Sequence, residues 1–126
     1  MKKILIVDDD ASFVEAISTL LETQEYEIIT ASGGKEGFEK AKKVKPDLML
    51  LDVMMARKTE GFDVARNLKK DNATKNIPVI MITGIRSYKL PFELEPDEDW
   101  LPVTTILEKP VKPEELLKAI EENIKK

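Results

Sequence analysis

Two hydrophobic rhythms alternate along this chain. Five short apolar runs, rich in β-branched residues, predict strands: Ile4 to Val7, Tyr26 to Ala31, Leu48 to Leu51, Ile77 to Ile82 and Val103 to Leu107. Between them apolar residues recur at helical spacing. After Asp10, an N-cap candidate, come Phe13, Val14, Ile17, Leu20 and Leu21. Ser32 is the expected N-cap of a helix reaching about Val44, with Phe38, Ala41 and Val44 on one face and Pro46 as its stop. Gly37 lies inside that helix, where glycine costs ~1 kcal/mol against alanine, so close packing is its expected purpose. A third helix spans Phe62 to Lys70, with Phe62, Ala65 and Leu68 inward. A last one opens at Pro113 and turns Leu116, Leu117, Ile120 and Ile124 to the core.

Strands alternating with helices predict an α/β fold, a parallel sheet covered on both faces, within one domain over residues 1–126. The irregular stretch is 85–102. It holds Pro91, Pro96 and Pro102 and five acids between 93 and 99, so a fourth helix there is expected to be irregular or shortened.

Composition narrows the chemistry. The chain has no Cys and no His, which removes thiolate metal sites, disulfides and imidazole catalysis. Net charge is −4, with no basic patch rich in aromatics, so direct nucleic-acid binding is not expected. The apolar stretch before Asp8 is too short to span a membrane or to serve as a signal peptide, and a cytoplasmic location is expected.

In an open parallel sheet, ligands bind beyond the carboxyl ends of the strands. Asp8 and Asp9 follow the first strand, Asp52 the third, Thr83 and Gly84 the fourth, and Lys109 and Pro110 the fifth. At 4 Å and an effective dielectric of 20, a pair of carboxylates repels by ~4 kcal/mol. Positive charge must sit among them. Lys109 supplies part of it. Mg²⁺, which favours oxygen ligands and one or two carboxylates, is the expected cofactor. Asp52 then serves as a nucleophile toward a phosphoryl group, whose oxygens the Thr83 hydroxyl, the Gly84 N–H and the Lys109 ammonium can hold.

The ordered set VDDD, LLDVMM, ITG and EKP resembles the receiver domain of bacterial two-component response regulators, and the resemblance covers nearly the whole chain. It implies a flavodoxin-like sheet in the order 2-1-3-4-5. It implies that Asp52 is the phosphoacceptor, that Asp8 and Asp9 bind Mg²⁺ together with Asp52, and that Met54 lends its backbone carbonyl to the ion. Thr83 would be the switch hydroxyl and Lys109 the phosphoryl-contacting lysine, in a cis bond to Pro110. A sensor histidine kinase or phosphotransfer protein would donate the phosphoryl group. A downstream protein would bind the face made by the fourth helix, fifth strand and last helix. The chain is expected to act as a stand-alone regulator, and not as an enzyme beyond its own phosphorylation and dephosphorylation.

Three features depart from the family pattern. Ala56 stands where a proline is usual, in a segment one residue longer than usual that carries Arg57 and Lys58. Ile106 occupies the switch position where an aromatic is often found. The 85–102 segment is long and short of helix. In the family the chain resembles, residues two beyond the phosphoacceptor and two beyond the switch hydroxyl influence water attack; here these are Met54 and Ile85, apolar side chains with no group to orient a water, so slow self-dephosphorylation is expected. Two other functions compete. One is a degenerate receiver that binds its partner without phosphorylation. The other is a haloacid-dehalogenase-like phosphatase, with Asp8 as nucleophile and Asp10 as acid–base, which leaves Asp52 idle.

Overall fold

The computed structural model describes residues 1–52, 60–83, 103–108 and 111–124, with the backbone alone for 60–63 and 83. In chain order these form β1 (Lys3–Val7), α1 (Ala11–Glu22), β2 (Glu27–Ala31), α2 (Gly34–Val44), β3 (Leu48–Asp52), α3 (Glu60–Lys70), β4 (Val79–Thr83), β5 (Thr105–Glu108) and α4 (Pro113–Asn123). The strands make one parallel sheet in the order β2-β1-β3-β4-β5, as the resemblance implies.

The strand period of two sorts the core. Leu5, Val7, Met49, Leu51, Val79 and Met81 face one side, where Ala41 of α2 and Val64, Ala65 and Leu68 of α3 cover them. Ile4, Ile6, Leu48, Leu50, Ile80 and Ile82 face the other, under Ile17 and Leu21 of α1 and Leu116 and Ile120 of α4. Both faces of the central strands are buried, which is why β1 and β3 read as unbroken apolar runs.

Helix starts and stops follow local chemistry. Asp10 caps α1, its Oδ1 accepting from the Phe13 N–H at 3.2 Å, as expected. Ser32 is not the cap of α2. Gly33 holds that place, and Ser32 lies outside it, its N–H and hydroxyl both donating to Glu36 Oε1 at 3.2 Å. The Glu36 carboxyl is held below its usual range by Lys40 and by those Ser32 bonds. Helix α2 ends with Lys45 in the left-handed region, φ 53°, just before Pro46.

Boundaries move by a residue or two where hydrogen bonding overrides hydrophobicity. Tyr26 precedes β2, which starts at Glu27. Ile77 belongs to a turn, its N–H donating to Thr74 O at 3.0 Å, and Pro78 has no N–H to offer, so β4 starts at Val79. Val103 is buried but precedes β5, which starts at Thr105. Helix α3 begins at Glu60 rather than Phe62. The 85–102 segment, and with it the expected irregular helix, lies outside the described residues.

Gly37 carries out its expected role. A Cβ there would stand 2.7 and 2.9 Å from the two Val7 methyls. Gly37→Ala is expected to destabilise the protein by about 1–3 kcal/mol, because Val7 is locked within the sheet; Gly37→Ala with Val7→Ala should recover part of the loss in denaturant titrations. The α2–α3 contact is clasped by Lys42 Nζ to Asp71 Oδ2 at 3.2 Å, and Asp71 also accepts from the Ala73 N–H at 2.8 Å. The Ala73 bond, then Lys42, holds the Asp71 carboxyl below its usual range. Its contribution is present above the unfolded pKa of about 3.9 and is lost as pH falls through the lower folded value. Asp71→Asn should therefore lower Tm at neutral pH, with the gap from wild type closing in strong acid.

Candidate functional site

The acids gather where parallel pairing puts the strand ends together. Val7 lies opposite Leu51 in the β1–β3 register, so Asp8 and Asp52 are the next residues on adjacent strands. The two-residue period gives Asp52 the parity of Leu48 and Leu50, and gives Asp8 that of Ile4 and Ile6. Both carboxylates are buried, Asp8 at 4% exposure and Asp52 at 3%, while Asp9 is exposed.

Asp8 is tied down by its neighbours. Its N–H donates to Ala31 O at 3.0 Å, which joins it to the end of β2. Its Oδ1 accepts from the Asp10 N–H at 2.8 Å, in the i to i+2 pattern of an Asx turn. Asp10 thus does two jobs: its side chain caps α1, and its backbone orients Asp8. The second needs only a backbone N–H two residues after Asp8, so the side chain at position 10 carries no signal for it. Asp10 spends its side chain on the helix cap, which weighs against the phosphatase reading that makes it an acid–base.

One oxygen each from Asp8, Asp9 and Asp52 lies within 4.8 Å of the others. These three are brought together as expected. The donor set is all oxygen and anionic, which fits a hard divalent cation and suits Mg²⁺. Thr83 ends β4, its backbone paired in register with Glu108 of β5. The Thr83 side chain, and Met54, Gly84, Lys109 and Pro110 entirely, lie outside the described residues, as do Ile85 and the Ala56-Arg57-Lys58 stretch. Ile106 is partly buried and packs against the core cluster shared with α2 and α3. No described helix is long and apolar enough to cross a membrane.

Residues 4–121 match the family model of the response regulator receiver domain. Protein PilH of Pseudomonas aeruginosa is 35% identical over 123 residues, covering 95% of both chains. The alkaline phosphatase synthesis transcriptional regulatory protein PhoP of Bacillus subtilis is 43% identical over 83 residues, 66% of this chain and 33% of that protein. This chain therefore corresponds to about a third of PhoP and nearly all of PilH. Among solved structures, chemotaxis protein CheY4 of Vibrio cholerae superposes with a TM-score of 0.81 at 31% identity, covering 98% of this chain and 99% of that one. A CheY-like receiver domain protein of Methanospirillum hungatei gives 0.79 at 28% identity, covering 97% and 92%.

Charges within 4.8 Å of one another at an effective dielectric of 20 repel by roughly 3 kcal/mol or more per pair. Removing one carboxylate should therefore stabilise the protein in metal-free buffer. Thermal melts are expected to show a higher Tm for Asp52→Asn than for wild type in chelator. Mg²⁺ should raise the wild-type Tm, by about 2.7 kcal/mol of stability at a hundredfold excess over Kd, and should leave the variant nearly unmoved.

Proposed function

Because the chain belongs to the response regulator receiver domain family, and so serves phosphoryl-dependent signalling rather than turnover, we propose that Asp52 is the residue that takes the phosphoryl group. The observation that carries this is the meeting of Asp52 with Asp8 and Asp9 at the carboxyl edge of the sheet, with oxygens within 4.8 Å. Asp52 is the central acid: it ends the middle strand, and β1 and β4 flank it.

Asp8 and Asp9, with Asp52, would hold Mg²⁺, and the Met54 carbonyl would complete the protein's share of the ligands. The bound cation supplies positive charge that lets two anions, carboxylate and phosphoryl, approach each other. An Asp52 oxygen attacks phosphorus in line. The bond to the donor breaks, and a histidine donor leaves as neutral imidazole once it takes a proton from solvent. Thr83, Gly84 and Lys109 contribute a hydroxyl, an N–H and an ammonium to the phosphoryl oxygens, and Thr83 with Ile106 would carry the switch. A sensor histidine kinase or phosphotransfer protein is the donor. A downstream protein, docking on the face of β5, α4 and the segment before β5, is the reader. A cytoplasmic setting suits both. The domain would occupy the whole of residues 1–126 and show no activity beyond its own phosphorylation and dephosphorylation.

Phosphorylation-independent binding is the weaker reading, because it leaves a cluster of repelling carboxylates without a purpose. Treatment with a small acyl-phosphate donor and Mg²⁺ should add ~80 Da to wild type, the mass of one phosphoryl group, and nothing to Asp52→Asn. An equal gain in the variant would move the acceptor elsewhere. No gain in either would return the domain to the binding-module reading. With apolar Met54 and Ile85 at the sequence positions two beyond Asp52 and two beyond Thr83, the phosphorylated form should persist well beyond seconds in Mg²⁺ buffer. Met54→Asn should shorten its lifetime, followed by intact-mass measurement over time.

A further inference from the structure

Asp10 joins the acid cluster to helix α1. It is fixed to the helix by side chain and backbone alike. Its Oδ1 accepts from the Phe13 N–H at 3.2 Å, and its backbone oxygen accepts from the Val14 N–H at 3.0 Å. Phe13 and Val14 are partly buried against the core cluster beneath α1 and α4, so this first turn rests on the body of the domain. The same residue turns its N–H to Asp8, whose Oδ1 accepts it at 2.8 Å. Asp8 is 4% exposed, and its own N–H donates to Ala31 O at 3.0 Å. The Asp8 backbone is thus held from β2, and its carboxylate from the start of α1.

Any residue but proline offers an N–H at position 10. How long that N–H stays aimed depends on whether the first turn of α1 is closed. Helix ends open more easily than the rest of a fold, and an N-cap of ordinary strength shifts that opening about fivefold. When the turn opens, residue 10 loses its orientation and Asp8 Oδ1 loses this donor. The carboxylate is then freed from one of the constraints that hold its oxygen within 4.8 Å of those of Asp9 and Asp52. Hydrogen bonds to a ligating carboxylate orient it for its ion, so the cap bears on how well the cluster holds a cation.

We propose that Asp10 is a positioning residue for the metal site: through its cap it keeps Asp8 aimed at a divalent cation that Asp10 itself does not hold. Its side chain is spent on the Phe13 N–H and is not among the clustered oxygens of Asp8, Asp9 and Asp52. The inference rests on the reading that these acids hold Mg²⁺, and goes beyond it by tying the ion to the helix. Linked equilibria are reciprocal. An ion that favours the aimed Asp8 must also favour the closed first turn, so metal occupancy reaches the Phe13 and Val14 amides.

Titration of the full chain with Mg²⁺, followed by proton–nitrogen correlation spectra well below the melting temperature, tests this in wild type, Asp10→Asn, Asp10→Ser and Asp10→Ala. All the replacements are neutral, so they weaken long-range attraction for the cation alike, and Ala alone lacks a cap acceptor. Asp10→Ala is expected to bind Mg²⁺ about two- to fivefold more weakly than the Asn and Ser variants. In metal-free spectra the residue 10 amide proton, bonded to a carboxylate, should stand downfield in wild type, Asn and Ser and move upfield in Ala. Mg²⁺ should slow hydrogen exchange at the Phe13 and Val14 amides of wild type. A cap that served stability alone would lower Tm in Asp10→Ala and leave its Mg²⁺ affinity equal to that of Asp10→Asn, which overturns the proposal. Exchange at Phe13 and Val14 that Mg²⁺ leaves unchanged overturns it too. Should Asp10→Ala not fold, Asp10→Gly takes its place, because it also lacks the side-chain acceptor but costs a helix start little. A wild type that binds no Mg²⁺ overturns the reading of the site and this inference with it, whereas a wild type that binds while the neutral variants match one another overturns the inference alone.

Discussion

The structure turns on carboxylates held close together against their own repulsion. Asp8 and Asp52 are both almost fully buried, and their oxygens stand with that of Asp9 inside a 4.8 Å cluster. No side-chain preference would choose this. It is imposed by the pairing of β1 with β3, where Val7 opposite Leu51 leaves no freedom over which residues come next. A slip of one residue would turn Ile4, Ile6, Leu48 and Leu50 away from α1 and α4, and the core resists that far more strongly than three acids can push. Apolar burial at the middle of the sheet thus holds the electrostatic tension at its edge.

That tension is also useful. An acid cluster that destabilises the free protein becomes a source of affinity for a small, hard cation and for the chemistry that a cation permits. The three acids differ in burial. Asp52 is enclosed at the end of the central strand. Asp8 is fixed by the Asp10 N–H and by its own bond to Ala31. Asp9 alone of the three is exposed.

Much of this was legible in the chain. Parallel topology is readable because continuous apolar runs and helical spacing are separate signals, and topology alone then brings every strand terminus to one edge. The Asp8–Asp9–Asp52 meeting follows from it. Gly37 was readable as a packing glycine because a mid-helix glycine needs a reason, and the Val7 methyls are that reason. Other details were not readable. Ser32 and Gly33 compete for the cap of α2, and the outcome depends on Glu36 drawing the Ser32 N–H and hydroxyl outward. Val103 and Ile77 are apolar enough for strands, yet Pro78 and a turn bond from Ile77 to Thr74 decide where the ladder starts. The clasp of Lys42 and Asp71 joins residues far apart in sequence, and only the packing of α2 on α3 brings them within reach.

Ile106 shows how the fold can keep the phosphoryl chemistry and alter its consequence. It lies in β5, the edge strand, paired opposite Met81 and partly buried against the cluster beneath α2 and α3. An aromatic ring at such a place has two separated positions, one inward and one exposed, and can report by moving between them. Isoleucine is stiff at its first torsion and has no polar tip to reward exposure. Its movement would expose apolar surface without gaining a hydrogen bond. If Ile106 shares the switch with Thr83, as proposed, its part would be played through the backbone ladder that joins Thr83 to Glu108 rather than through a swinging side chain.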